Sequence, residues 1–201
     1  MSRLIIFLTL VAVTHAWGAP PRRVVALSPA ITEIIYSLNA EKLLVGVSEF
    51  SDYPAAAKRL PSVGPYTKPI LEKIISLKPD LVLLPQEGPQ DVQAQFDRLK
   101  IKYQIVKMRT LDDIPLAADQ IARQLGSDKA GTAFVAKWKS EYQKIFQPDR
   151  FSKMPLYPKT LIEVQYEPLY AAASDTFLDQ IVSLCGGVNI FGKQTGYPRL
   201  S

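Results

Sequence analysis

Histidine and cysteine are almost absent from this sequence. Among its 201 residues there is one histidine, His15, and one cysteine, Cys185. Histidine-based zinc sites, Ser-His-Asp triads and Cys-His dyads all require an imidazole. Because His15 lies in a segment that we expect to be removed, these sites are excluded from the mature protein. Cys185 is interpreted either as a small buried hydrophobic residue or as a cysteine whose disulfide partner is missing from this chain.

The apolar run at the N-terminus is too short to cross a bilayer. LIIFLTLVAV, at residues 4–13, follows Arg3 and precedes small residues that permit cleavage after Ala16 or Gly18. This pattern predicts a secretory signal peptide at residues 1–18, with an apolar strand or helix as the alternative. The absence of a cysteine directly after the run argues against a lipid anchor.

Dense positive charge and catalytic motifs are missing as well. The 24 Lys and Arg residues exceed the 19 Asp and Glu residues by 5, but they are scattered, so nucleic-acid binding is not predicted. No nucleophile–base pair, phosphate-cradling glycine loop or metal cluster is visible. The acids Asp52, Glu87 and Glu163 look isolated, as solvated or capping residues would. We therefore expect no enzymatic activity.

The sequence does contain an alternation of apolar strands and amphipathic helices. Strands are predicted within residues 21–28 and at 43–47, 81–84 and 103–106, and helices at 30–38, 69–77, 90–99 and 111–125. Continuous apolar strands between helices are typical of a parallel sheet covered on both faces. The loops at Ser28, Phe50 and Pro85 follow strands, so we expect them to share the sheet edge where ligands bind.

A long helix is predicted at residues 126–147. It separates an N-terminal α/β lobe at 19–125 from a partial C-terminal lobe at 148–201, where we expect a linker, a strand at 160–164 and a helix at 174–184 capped by Ser174. Aromatic residues recur every fourth position along the long helix, and this stripe is expected to be core: Phe134, Trp138, Tyr142 and Phe146.

Four stretches resemble one protein family. VVALSPAITEIIYSL, VGVSEFSDYPAAAKRLPSVG, LEKIISLKPDLVL and LDQIVSLCGGVNIF are similar to the periplasmic cobalamin-binding proteins of ABC importers. The resemblance covers residues 22–201 and implies an α/β fold of two Rossmann-like lobes bridged by one long helix. It also implies a monomeric periplasmic protein that binds a corrinoid in the cleft between the lobes, without a cofactor, and delivers it to the transporter permease.

The resemblance assigns roles to individual residues. Pro29, Phe50, Tyr66 and Tyr197 match positions that contact the ligand, and broad aromatic faces suit the flat corrin ring. Glu72 matches a first-lobe acid that docks on permease arginines, although an acid there also stabilises the start of its helix. Metal ligands are not implied.

Several departures from the family pattern limit these implications. Phe50 stands where the cobalamin branch often has tyrosine, and the chain stops before a second docking glutamate and before the cysteine that can pair with Cys185. We therefore expect a truncated member with an incomplete second lobe and weak binding. A ferric siderophore or haem as ligand, or a member that has lost transport, remain the alternatives.

Overall fold

The computed structural model describes residues 20–146 and 156–200. The predicted signal peptide at 1–18, and the part of the predicted linker at 147–155, lie outside these residues. The first lobe contains β1 (Val24–Ala26), α1 (Pro29–Ser37), β2 (Leu44–Val47), α2 (Leu71–Ser76), β3 (Leu81–Pro85), α3 (Gln90–Arg98), β4 (Tyr103–Val106) and α4 (Asp113–Leu125). Short 3-10 helices lie at Glu41–Leu43 and Ala55–Arg59.

The four strands of this lobe form one parallel sheet in the order β2-β1-β3-β4. Val24 of β1 aligns with Leu44 of β2 and with Leu81 of β3, and Val82 of β3 aligns with Tyr103 of β4. The connection from β2 to β3 therefore passes over β1, and helices connect the successive strands. All carboxyl ends of the strands therefore meet at one edge of the sheet.

Alternate residues of each strand feed two separate cores, one on each face of the sheet. On one face Val24 and Leu83 pack with residues of α1 and α4, including Ile31 and Ile121. On the other face Val25, Val82 and Leu84 pack with α2 and α3, where Phe96 is fully buried. This two-sided burial explains why the strands are continuously apolar, and it confirms the predicted α/β fold.

The long helix is α5 (Asp128–Ile145), which packs along α4 through a close approach at Gly131. A Cβ at Gly131 would lie 2.4 Å from the Cβ of Ala122. The predicted aromatic core along α5 is wrong for most of its length. Phe134 packs on the main core, but Phe146 is exposed, and Trp138, Tyr142 and Phe146 stack on one another along the helix surface.

The second lobe is built from short elements. It contains β5 (Lys159–Thr160), β6 (Glu163–Gln165), β7 (Tyr170–Ala171), α6 (Phe177–Leu184) and β8 (Val188–Asn189). β5 pairs in parallel with β8, and β6 pairs antiparallel with β7. The single strand predicted at 160–164 is therefore wrong, because these residues belong to two different pairs.

Two details of the helix predictions also need correction. Thr176, not Ser174, caps α6: the Thr176 hydroxyl accepts a hydrogen bond from the Asp179 N–H at 3.2 Å, while the Ser174 hydroxyl donates to the Gln194 carbonyl. In α2 only Ile74 is buried, and the neighbouring Ile75 is exposed. In the part of the chain that the structure describes, no helix is long and apolar enough to cross a membrane.

Candidate functional site

Four loops meet at the carboxyl edge of the parallel sheet. They follow β1 at residues 27–28, β2 at 48–53, β3 at 86–89 and β4 at 107–112. Open parallel sheets bind ligands outside this edge. The predicted contact residues Pro29 and Phe50 follow the first two loops or lie within them, so the fold places them where a ligand site is expected.

A cluster of buried hydroxyl groups joins the first two loops beneath the surface. Ser28 caps α1 by accepting a hydrogen bond from the Ile31 N–H at 3.2 Å. The Thr32 hydroxyl lies 3.0 Å from the Ser28 carbonyl and 3.3 Å from the Ser51 hydroxyl, which is 3.0 Å from the Ser48 hydroxyl. We call Ser28, Thr32, Ser48 and Ser51 the hydroxyl cluster. All four residues are buried, so their hydrogen bonds hold the two loops in a fixed relative position beneath the surface.

The hydroxyl cluster supports the exposed side chain of Phe50. Phe50 has a φ of 64° and is 77% exposed. Its carbonyl accepts a hydrogen bond from the Asp52 N–H at 2.9 Å. A left-handed backbone costs a residue with a Cβ roughly 1–2 kcal/mol, so surrounding contacts must hold it. Pro29 is half-buried at the first position of α1 and directly follows Ser28 of the hydroxyl cluster.

The loop that carries Tyr66 is tied to the Phe50 loop. The Glu49 N–H donates to the Gly64 carbonyl at 2.8 Å, and Gly64 has a φ of 89° that suits glycine. Tyr66 follows in the turn before α2 and is 41% exposed. The backbone therefore presents Phe50 and Tyr66 from neighbouring loops of the first lobe.

Tyr197 reaches the same region from the second lobe. Burial raises the pKa of its phenol, the Glu87 carboxylate raises the pKa further, Arg109 opposes this, and Tyr66 adds a smaller increase. Tyr197 is therefore close enough to Glu87, Arg109 and Tyr66 to interact electrostatically with each of them. Tyr66 of the first lobe and Tyr197 of the second therefore lie within electrostatic range of each other.

Glu87 and Arg109 are further candidate site residues that sequence reasoning missed. Glu87 follows β3 and Arg109 follows β4, so both lie in loops at the carboxyl edge of the sheet. The same edge rule that selected Phe50 could have selected them. Asp52 and Glu87 are exposed, as expected of solvated acids, yet Glu87 contributes to the raised pKa of Tyr197, and Asp52 adds to the effect of burial in raising the pKa of Glu33.

The two remaining predicted residues, Glu72 and Cys185, are both exposed. Glu72 is exposed in the first turn of α2. Cys185 is a free, exposed thiol at the C-terminal end of α6, so the interpretation as a buried hydrophobic residue is wrong. As the only cysteine of the sequence, it has no partner for a disulfide within this chain.

Two grooves beside α4 are separate from these residues. One, of about 850 Å³, lies against Pro20 and Pro21, and the other, of about 740 Å³, lies between α4 and α5. Neither is lined by Phe50, Tyr66 or Tyr197. Within residues 20–146 and 156–200, no group of three or more His, Cys, Asp and Glu side chains is arranged to hold a metal ion.

A sequence profile described as "Periplasmic binding protein" matches residues 24–201. The chain belongs to the periplasmic binding protein family. The match includes both lobes and the helix between them, so the residues at the carboxyl edge and Tyr197 all lie within the family region.

Several relatives of this chain are named vitamin B12-binding proteins. The vitamin B12-binding protein of Pectobacterium atrosepticum is 32% identical over 203 residues, covering 99% of this chain and 73% of that protein. The vitamin B12-binding protein of Vibrio vulnificus is 31% identical over 188 residues, covering 92% of this chain and 67% of its own length.

Solved structures of periplasmic binding proteins superpose well on this chain. The periplasmic vitamin B12 binding protein BtuF of Vibrio cholerae has a TM-score of 0.76 at 29% identity, covering 90% of this chain and 71% of that one. The periplasmic heme-binding protein RhuT from Roseiflexus sp. RS-1 has a TM-score of 0.78 at 26% identity, covering 92% and 71%. Proteins named for two different ligands therefore share this fold.

Proposed function

We propose that this chain is a periplasmic solute-binding protein that captures a corrinoid such as vitamin B12 and delivers it to the permease of an ABC transporter. Its role is to carry the ligand, with no catalytic step. The proposal draws on the family membership, on relatives that are named as vitamin B12-binding proteins, and on the aromatic residues at the carboxyl edge of the sheet.

The observation that carries the proposal is that Tyr197 of the second lobe follows Gly196, which lies against Arg109 at the carboxyl edge of the first-lobe sheet, within electrostatic range of Tyr66. Two partly exposed aromatic rings, one from each lobe, can cover a flat macrocycle at low entropic cost. Phe50, held outward beside the Tyr66 loop, extends the first-lobe wall. We propose Pro29, Phe50, Tyr66 and Tyr197 as the ligand contacts.

The charges around these aromatic residues favour a corrinoid over haem or a ferric siderophore. Haem carries propionate carboxylates, and many ferric siderophores are anionic, whereas the rim of a corrin carries neutral amides. Here the nearby charges include the Glu87 carboxylate, and the cationic Arg109 is engaged by Asp175 at 3.4 Å. The Glu87 carboxylate would repel a haem propionate, and the nearby Arg109 already contacts the Asp175 carboxylate through its Nε. Haem remains the second candidate because a haem-binding protein shares the fold.

Parallel titrations with cobalamin and haem test the ligand. We expect calorimetry to detect cobalamin binding and the haem absorbance spectrum to stay unchanged. Tyr197→Ala should weaken cobalamin binding by about 2 kcal/mol, or about 30-fold, because it removes one aromatic wall. Tyr166→Ala is the matched control, since Tyr166 is a second-lobe tyrosine that is 79% exposed. Haem binding without cobalamin binding would overturn the corrinoid assignment.

Glu72 is proposed to dock on permease arginines. An acid in the first turn of a helix stabilises that helix by up to about 1 kcal/mol whether or not it docks. Asp91, exposed in the first turn of α3, offers a matched control. We expect Glu72→Gln to abolish pull-down of the reconstituted permease and Asp91→Asn to preserve it. Equal pull-down by both variants would contradict docking through Glu72. Cobalamin binding without any permease capture would favour a member that has lost transport.

Export to the periplasm and the monomeric state complete the proposal. If the signal peptide at residues 1–18 is cleaved, mass spectrometry of the periplasmic fraction should find a mature chain that begins after Ala16 or Gly18. Light scattering of the purified protein should give the mass of one chain. A full-length protein retained in the cytoplasm would contradict the proposed location.

A further inference from the structure

The two lobes make a direct polar connection in addition to helix α5. The connection joins the β4–α4 loop of the first lobe to the start of α6 in the second. The Phe177 N–H donates to the Arg109 carbonyl at 2.8 Å, and the Leu111 N–H donates to the Gln180 side-chain oxygen at 2.5 Å. The Gln180 amide donates in turn to the Asp112 carboxylate at 3.1 Å.

The Arg109 side chain contacts two separate segments of the second lobe. Its Nε donates to the Asp175 carbonyl at 3.0 Å and lies 3.4 Å from the Asp175 carboxylate. Its Nη2 lies over Gly196, where an added Cβ would be only 2.7 Å from that nitrogen. Gly196 also has a φ of 70°, which favours glycine, and an added Cβ would displace the flexible end of the Arg109 side chain. Tyr197 is the next residue along the chain.

These two segments form one unit within the second lobe. The Gly196 N–H donates to the Ser174 carbonyl at 2.9 Å, and the Ala173 N–H donates to the Gly196 carbonyl at 2.8 Å. Asp175 and Tyr197 are thus held on adjacent, hydrogen-bonded segments. A shift of either segment relative to Arg109 would move the Tyr197 ring as well.

The first-lobe side of the connection is fixed by Asp113. Its buried carboxylate accepts hydrogen bonds from the Arg109 N–H at 3.0 Å and the Thr110 N–H at 2.9 Å, and lies 3.1 Å from the Lys107 ammonium. The backbone that carries Arg109 is therefore rigidly attached to α4. Arg109 reaches the second lobe from a fixed base.

We propose that Arg109 is a positioning residue that sets the place of Tyr197 relative to the first lobe, and so the width of the cleft between the lobes. We call Arg109 with Asp175 and Gly196 the cross-lobe latch. The Arg109 and Asp175 side chains are 32% and 56% exposed, so their ion pair alone adds little stability. The positioning effect comes from the ion pair together with the hydrogen bond to the Asp175 carbonyl and the close approach to Gly196, all of which favour one arrangement of the lobes. The effect on ligand affinity rests on the proposed function, whereas the effect on lobe geometry does not.

A distance measurement between the lobes tests the latch without any ligand. Cys185 is the only cysteine and is exposed in the second lobe, so one label can be attached there and a second at Lys58→Cys in the first lobe. Pulsed spin-label spectroscopy should give one narrow distance distribution, and Arg109→Ala should broaden it. Arg123→Ala is the matched control, because Arg123 makes an exposed ion pair with Asp119 inside α4 at 2.6 Å.

Gly196→Ala tests the same contact from the second lobe. It should also broaden the distance distribution, since the new Cβ displaces the Arg109 guanidinium. Arg109→Lys keeps the charge but loses the contact over Gly196, so it should restore the narrow distribution only in part. An unchanged distribution in both Arg109→Ala and Gly196→Ala would overturn the proposal.

Cobalamin titration then tests the consequence for binding. If Arg109 acts through Tyr197, Arg109→Ala should weaken cobalamin binding, and the double variant with Tyr197→Ala should bind no more weakly than Tyr197→Ala alone. Fully additive losses would contradict the positioning role. If the unmodified chain fails to bind cobalamin while the distances respond as expected, the proposed function fails and the latch stands.

Discussion

Two threonines make the same helical hydrogen bond in different surroundings, which allows the hydroxyl cluster to be tested. Thr32 of α1 and Thr132 of α5 each donate to the carbonyl four residues earlier, at 3.0 and 3.1 Å. Thr32 is fully buried and also lies 3.3 Å from the Ser51 hydroxyl, whereas Thr132 is exposed. Replacing each by valine removes a hydroxyl and retains the branched shape.

The expected cost of Thr32→Val follows from the two hydrogen bonds that it removes. A hydrogen bond contributes about 1 kcal/mol net, so the loss is about 2 kcal/mol. The loss is not larger, because neither partner is left without a hydrogen bond. The Ser28 carbonyl still accepts from the Thr32 N–H at 3.1 Å, and the Ser51 hydroxyl still bonds the Ser48 hydroxyl. For a chain of this size, about 2 kcal/mol lowers the melting temperature by about 4–8 °C. Thr132→Val should change the free energy of unfolding by less than about 0.5 kcal/mol.

Thermal and urea denaturation of both variants, followed by circular dichroism, check this difference. Equal melting temperatures for Thr32→Val and Thr132→Val would show that the buried hydroxyl contributes nothing beyond an ordinary helical bond. In that case the hydroxyl cluster could not be what holds the Phe50 loop. Weaker cobalamin binding by Thr32→Val, with no change for Thr132→Val, would link the cluster to the position of Phe50.

Three further substitutions test other parts of the structure. Phe50→Gly removes the strain of a positive φ and little buried area, so urea denaturation should show a gain of about 1 kcal/mol while cobalamin binding weakens. Gly131→Ala places a Cβ 2.4 Å from Ala122 and should lower the melting temperature by separating α4 from α5. Burial acts to raise the pKa of Asp113, but hydrogen bonds from Thr110 and the Lys107 charge lower it overall. Asp113 therefore adds stability above about pH 4 that is lost as the pH falls through its folded-state pKa. Asp113→Asn should be destabilised at neutral pH, and urea titrations should show that difference shrinking in acid.

The first lobe was predictable because its signals are local. The central strands are buried on both faces, so Leu81–Pro85 is continuously apolar and stands out between polar helix ends. Ser28 before Pro29 marks the start of α1, and both residues occupy the predicted cap and first position. Once the strands are recognised as parallel, the shared edge of their loops follows from topology alone.

The second lobe was less predictable because its elements are short and irregular. A run such as Thr160–Val164 looks like one strand by composition, but β5 and β6 pair with different partners on either side of it. Two-residue strands carry no periodicity that a sequence pattern can detect. The aromatic stripe on α5 misled for another reason: helical spacing places the rings on one face, but stacking can satisfy them on the surface without burial.

The walls of the cleft differ in how they are held, and this difference explains which site residues the sequence revealed. The first-lobe wall rests on the hydroxyl cluster, whose members lie close to Phe50 in the sequence or at a recognisable helix start. Tyr197 depends instead on Arg109, which is 88 residues earlier in the numbering and belongs to the other lobe. Such a contact leaves no local pattern, since an exposed arginine after a strand looks like any solvated charge. A buried hydroxyl network is also harder to rearrange than an exposed ion pair. We therefore expect substitutions at the latch to change the width of the cleft, while those in the hydroxyl cluster lower the stability of the lobe itself.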